Sequence, residues 1–193
     1  FRYPVVKFNS STALNIQSGA GLVANGNKNA TALDGNLAWA YFTSRDDNSI
    51  GYAIASSDGV PAAGDWSQIN ITSTAAGQDI NFVRLRYSTT GVYVNSTQGL
   101  QTIKNSDFNN NSSYAIVLDS ATNVASINNI LSNDLNANTY VIYISDTGGA
   151  QTDLNRTADN NISCGSSTAN GLYVFQTSVV AVSMTTIENN YFI

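Results

Sequence analysis

The sequence predicts an all-β fold: a single-stranded right-handed parallel β-helix, or solenoid, with coils of about 20–30 residues. Three observations point to it. First, the stretch from Gly91 to Ile193 repeats, with segments that begin at Gly91, Ala115, Val141 and Gly171. Each opens on a short apolar strand: Val92 and Val94, Ile116 and Leu118, Ile142 and Ile144, Leu172 and Val174. Second, each carries another apolar cluster further on: Leu100 and Ile103, Val124 and Ile127, Ala150 and Leu154, Val180 and Met184. Third, each runs into asparagines: Asn109 to Asn111, Asn128 and Asn129, Asn160 and Asn161, Asn189 and Asn190. Val92, Ile116, Ile142 and Leu172 are separated by 24, 26 and 30 residues. The core stays in phase while loops grow, as in a solenoid; a two-sheet sandwich need not do this.

One coil cannot bury its own apolar face. Coils stacked about 4.8 Å apart bury it between neighbours and pair every strand above and below. Alternation, with Val92 inward, Tyr93 outward and Val94 inward, gives one face to the core and one to water. Asparagine tolerates left-handed backbone at the turns and can stack into a hydrogen-bonded ladder.

Taken in order, residues 1–44 read as the first coils. Val6 and Phe8, Leu14 and Ile16, Leu22 and Ala24 alternate as strands do, and Pro4 suits an edge. Trp39, Tyr41 and Phe42 are expected in the core, with an aromatic sugar platform as the sharper alternative. Residues 45–66 break the rhythm and read as one long loop. Its Asp46, Asp47, Asp58 and Asp65 are weak calcium candidates, because oxygen ligands at flexible spacing suit Ca²⁺. Turn-capping aspartates are the preferred reading. Residues 67–90 return to the coil pattern. Arg84 and Arg86 share a face opposite Val83 and Leu85, where they would pair with aspartates such as Asp79 or Asp107 or hold an acidic sugar. The whole of 1–193 is read as a single β-helix domain.

Composition narrows the function. The formal charge is −5 and the pI about 4.3, which argues against nucleic acid and anionic lipid as partners. No apolar run approaches the roughly 20 residues of a membrane helix. There is no histidine, so the commonest general base and metal ligand is missing. The single cysteine, Cys164, rules out an internal disulfide and reads as a small packed residue. No catalytic residue or cofactor is assigned.

Trp39-Ala40-Tyr41-Phe42-Thr43-Ser44, then Asp46-Asp47, then Pro61-Ala62-Ala63-Gly64-Asp65-Trp66, then Val83-Arg84-Leu85-Arg86-Tyr87 follow one another. This order resembles right-handed parallel β-helix repeat proteins of bacterial and archaeal cell surfaces, and the C-terminal coils resemble NosD-like β-helix repeats. The resemblance implies export and a surface location. It departs from the family at residues 52–59, where YAIASSDG replaces a D-x-N-x-D-G run.

Eight N-x-S/T sequons, at Asn9, Asn29, Asn70, Asn95, Asn110, Asn111, Asn155 and Asn161, are candidate glycosylation sites. Those at Asn95, Asn110, Asn155 and Asn161 are expected in turns. Phe1, Tyr3, Val5, Tyr191, Phe192 and Ile193 make both ends of the sequence apolar. The leading expectation is an extracellular structural or adhesive protein that assembles head to tail as a homo-oligomer or filament, or forms part of a larger surface protein. The alternative is a polysaccharide-binding or polysaccharide-cleaving protein. Tyr93, Tyr143 and Tyr173 are expected to form an outward row interrupted by Val117, which reads first as a stacking ladder that stabilises the solenoid and otherwise as a glycan-binding surface.

Overall fold

A computed structural model describes residues 4–17, 19–31, 37–72, 79–95, 100–120, 125–148, 152–177 and 182–193. Strands and turns make up these residues, with no helix among them. The first strands are β1 (Val5–Phe8), β2 (Leu14–Ile16), β3 (Val23–Asn25), β4 (Asn27–Thr31) and β5 (Leu37–Ala38). The coils continue through β6 (Ala40–Ser44), β7 (Ile69–Ile71), β8 (Asp79–Asn81), β9 (Val83–Arg86), β10 (Thr90–Val94) and β11 (Leu100–Lys104). Next come β12 (Asp107–Asn111), β13 (Tyr114–Asp119), β14 (Ala125–Leu131), β15 (Asp134–Ala137), β16 (Tyr140–Asp146) and β17 (Thr152–Ala158). The last are β18 (Asn161–Cys164), β19 (Asn170–Gln176), β20 (Val182–Glu188) and β21 (Tyr191–Phe192).

From β6 onward every third strand returns to the same sheet, and β1, β2 and β3 join as the first turn, so three parallel sheets enclose one core. The first sheet runs β1-β6-β9-β12-β15-β18-β21, the second β2-β7-β10-β13-β16-β19, and the third β3-β8-β11-β14-β17-β20. The chain is a parallel β-helix. Inward positions stack into continuous columns. In the second sheet Leu14, Ile69, Val92, Ile116, Ile142 and Leu172 form one column, and Ile16, Ile71, Val94, Leu118, Ile144 and Val174 the next. In the first sheet Val6, Phe42, Leu85, Phe108, Leu135, Ile162 and Phe192 align. Ile69 to Ile144 are completely buried in both second-sheet columns, because each is covered by the turn above and the turn below.

The repeat corrects two alignments. Leu100 pairs in register with Ile127, Leu154 and Met184, while Ile103 pairs with Ile130, Thr157 and Ile187. The expected match of Ile103 to Ile127 is therefore one inward position out. Val124, Ala150 and Val180 lie outside the described residues. The asparagine ladder sits only partly where expected: Asn160 and Asn190 are among the asparagines read from their coils, but the two preceding rungs are not. Ser106, Asn133, Asn160 and Asn190 form it, at the corner between the third and first sheets. The residue just before each rung, Asn105, Ser132, Asp159 and Asn189, has positive φ between 48° and 57°. Asn and Asp tolerate this left-handed corner better than other non-glycine residues do.

Two insertions leave the column. Residues 45–66 form the long loop, as expected. The second was not foreseen: β4 and β5 pair antiparallel outside the three sheets, so residues 1–44 are not coil throughout. Tyr41 and Phe42 are buried, but Trp39 is only half-buried and packs outside the core, edge-on to Phe82 at 6.0 Å. Trp66 closes the loop's return and is fully buried. Its ring stacks on Phe8 at 4.2 Å, and its indole N–H donates to the Arg86 carbonyl at 2.7 Å.

Candidate functional site

The loop's aspartates are engaged with protein donors. Asp47 is fully buried and accepts from the Thr43 hydroxyl at 2.7 Å and the Ser49 amide at 3.1 Å. Lys7 ties the same knot by donating to the carbonyls of Asp47 and Tyr52, at 2.6 and 2.9 Å. Asp46 accepts from Arg45, which holds its carboxyl below the usual range, and from the Asp58 amide. Asp58 accepts from the Val60 amide, and Asp65 from the Ser44 hydroxyl and the Ala62 amide. These are turn-capping contacts. Among the described residues no three His, Cys, Asp or Glu side chains gather as a metal site would.

The sequons fall in unlike places. Asn9, Asn110 and Asn155 are exposed, Asn70 and Asn161 are half-buried, and Asn95 and Asn111 are buried. Asn110 and Asn155 lie in β12 and β17, and Asn161 opens β18, so none of the three is in the turn expected for it. Asn111 accepts from the Ser88 hydroxyl and donates to the Asn136 carbonyl, so its amide is enclosed by core contacts. Asn29 lies in β4. At the ends, Tyr191, Phe192 and Ile193 are 67, 51 and 66% exposed, and Val5 is half-buried. Phe1 and Tyr3 lie outside the described residues.

Two outer faces gather side chains able to bind something. On the second sheet, register puts Asn15, Asn70, Tyr93, Val117, Tyr143 and Tyr173 in one outward column. The row read from the sequence is therefore present. Beside it stands a pair that sequence reasoning missed: Tyr114 and Tyr140, register partners on β13 and β16. Tyr143 stacks on Tyr173 at 5.8 Å, Tyr140 lies 4.6 Å from Tyr173, and Tyr114 stacks on Tyr140 at 5.8 Å. Four phenol rings thus make one partly exposed platform, and such stacking also adds stability. The signal for the second pair was a tyrosine two residues before the inward isoleucine, Ile116 or Ile142, in two successive coils.

Tyr93 has a different role. It donates a short hydrogen bond to Asp119. Burial, and then that bond, push its hydroxyl up to about 12. An unfolded tyrosine ionises near 10. The folded state thus holds a proton that the unfolded state releases, so stability is full below pH ~10 and falls as pH rises from there to about 12. Tyr93→Phe is expected to reduce that alkaline loss, read as the thermal midpoint against pH.

On the first sheet, Tyr41, Arg84, Asp107, Asp134, Asn161 and Tyr191 stack outward in register. Arg84 Nε lies 3.3 Å from Asp107, and Arg86 lies 3.9 Å from Asp47. The pairing with Asp107 is the one expected. The guanidinium of Arg84 also lies 4.7 Å from the Trp39 ring centre and donates to the Tyr41 hydroxyl at 3.2 Å. Asp107 and Asp134 are direct register partners on β12 and β15. The aspartates are thus less scattered than they look along the chain. Burial raises the Asp107 carboxyl above its ordinary range; Arg84 pulls it back and Asp134 pushes it further up.

No known protein family, curated protein or solved structure matches the chain.

Proposed function

We propose that the chain is an extracellular structural and adhesive β-helix protein of a cell surface, in the manner of the NosD-like repeats its coils resemble. The observation that carries this reading is the state of the two ends of the column. At one end the last strand of each sheet leaves apolar side chains open: Val174 on β19, Met184 and Ile187 on β20, Phe192 on β21. At the other, Pro4, Val6, Leu22, Val23, Ala40 and Phe42 line a largely apolar hollow of about 220 Å³. Edge strands with open apolar faces favour pairing with another strand layer. Here a further turn, of the same polypeptide or of a second copy, would supply it and lengthen the rod. Glycans at the exposed Asn9, Asn110 and Asn155 would suit such a surface.

Light scattering and negative-stain imaging of the 193-residue chain test this. Rods or oligomers that lengthen with concentration are expected. A monodisperse monomer at the highest soluble concentration contradicts end-to-end assembly.

A second reading, polysaccharide binding, is favoured by the tyrosine platform of Tyr114, Tyr140, Tyr143 and Tyr173. Ring faces with hydroxyl rims suit sugar rings, which are apolar on one face and hydroxylated at the edge. Among the described residues no helix is long and apolar enough to cross a membrane.

A further inference from the structure

We propose that the outer face of the first sheet is a separate binding groove for a neutral, hydroxyl-rich saccharide chain, centred on Asp107 and Asp134. It lies on a different sheet from the tyrosine platform and does not depend on it.

The groove is made of two hollows. One, of about 340 Å³, is lined by Trp39, Phe82, Arg84, Asn105, Asp107 and Asp134 among others, and its wall is mostly apolar. The other, of about 370 Å³, is almost wholly polar and is lined by Asp107, Asn109, Asn110, Asp134 and Asn138 among others. Both share Asp107 and Asp134, so the carboxylates stand where the hollows meet. Each hollow is within the ordinary range for a small-ligand site, about 300–1,000 Å³. Together they give an elongated site that crosses successive turns.

The chemistry of the lining selects the occupant. Trp39 and Phe82 offer apolar ring surface at one end, and amides that both donate and accept lie at the other. The carboxylates accept hydroxyl protons, and Arg84, 3.3 Å from Asp107 through its Nε, holds the Asp107 carboxylate in place at the junction. Asp107 and Asp134 outnumber Arg84 there, so an anionic chain would meet excess negative charge. A purely apolar ligand would strip water from the carboxylates without replacing it. A neutral sugar chain answers both ends. Asp107 also sits beside a like charge in a partly desolvated position, an arrangement found more often at functional sites than on plain surfaces.

The test is calorimetric titration of the unglycosylated 193-residue chain, so that the Asn110 sequon carries nothing into the groove. The probes are neutral hexasaccharides of glucose, mannose, xylose and N-acetylglucosamine, with hexagalacturonate as the acidic counterpart. At least one neutral probe should bind, and bind better than the acidic one. Trp39→Ala and Asp134→Asn should each weaken it about tenfold or more. Asp134 is exposed, so its variant should melt as the parent does. A Tyr143→Ser/Tyr173→Ser double variant should leave this affinity unchanged. If binding follows the tyrosines and ignores Trp39 and Asp134, the groove is overturned while the platform stands. If the acidic probe binds best, the groove is also overturned. If no probe binds, both fall.

Discussion

Replacing Trp66 with alanine is expected to cost about 3–5 kcal/mol of folding free energy, the usual range for deleting a buried aromatic. The ring has no exposed surface and stacks on Phe8 at 4.2 Å. It also donates to the Arg86 carbonyl at 2.7 Å, linking the end of the long loop to the next turn of the first sheet. Alanine would leave a cavity, free Phe8 on one side and orphan a carbonyl. Neighbouring turns cannot close the gap without losing register, because each is hydrogen-bonded to the turns on either side. Trp39→Ala should cost much less, since Trp39 lies outside the core. Urea unfolding curves for the two variants decide it. A Trp66→Ala loss below about 1 kcal/mol would mean that the loop's return is not anchored in the core.

Asn160→Ala is the second large expected effect. The Asn160 side chain is buried and works in both directions along the ladder. Its carbonyl oxygen accepts from the Asn133 backbone amide at 3.0 Å and from the Asn133 side chain at 2.9 Å. Its amide donates to the Ile130 carbonyl at 2.9 Å and to the Asn190 side chain at 2.8 Å. Alanine would orphan the Asn133 amide and the Ile130 carbonyl in the core. At about 1–3 kcal/mol for each unsatisfied group, the loss should be roughly 2–6 kcal/mol. Asn160→Asp keeps the acceptor but buries a charge and removes the donor, so it too should destabilise, most strongly once the carboxylate ionises. Thermal melts of both variants at acidic and neutral pH provide the check. Wild-type melting of Asn160→Ala would show that the ladder contributes little.

The columns of the second sheet were legible because Val92, Ile116, Ile142 and Leu172 are apolar at nearly constant separation, and the strand alternation fixes which way each points. The third sheet was less so. Leu100 and Ile103 are both apolar on one strand, so two alignments fit the apolar pattern and only pairing chooses between them. The ladder was read correctly only at Asn160 and Asn190, because each coil carries several asparagines and the rung is the residue just after a left-handed corner, which composition does not reveal and which at Ser106 is not an asparagine at all. The β4–β5 hairpin has little apolar pattern and left no periodic signal. Asp107 was read as a partner of Arg84, but its pairing with Asp134 was overlooked because the two are neighbours across turns and not along the chain. Reading acidic residues at the coil spacing would have found them. The tyrosine row was found by that kind of reading, and Tyr114 and Tyr140 would have been too.

The central claim is that successive turns lie directly over one another with their strands parallel. Amide-to-Hα NOEs on the isotope-labelled chain measure that directly. Contacts are expected between strands whose numbers rise together: Ile116 with Ile142, Leu118 with Ile144, and onward from Ile142 to Leu172 and Ile144 to Val174. Contacts in which one number rises as the other falls would mean antiparallel hairpins, and would contradict the β-helix together with both binding faces built on its register.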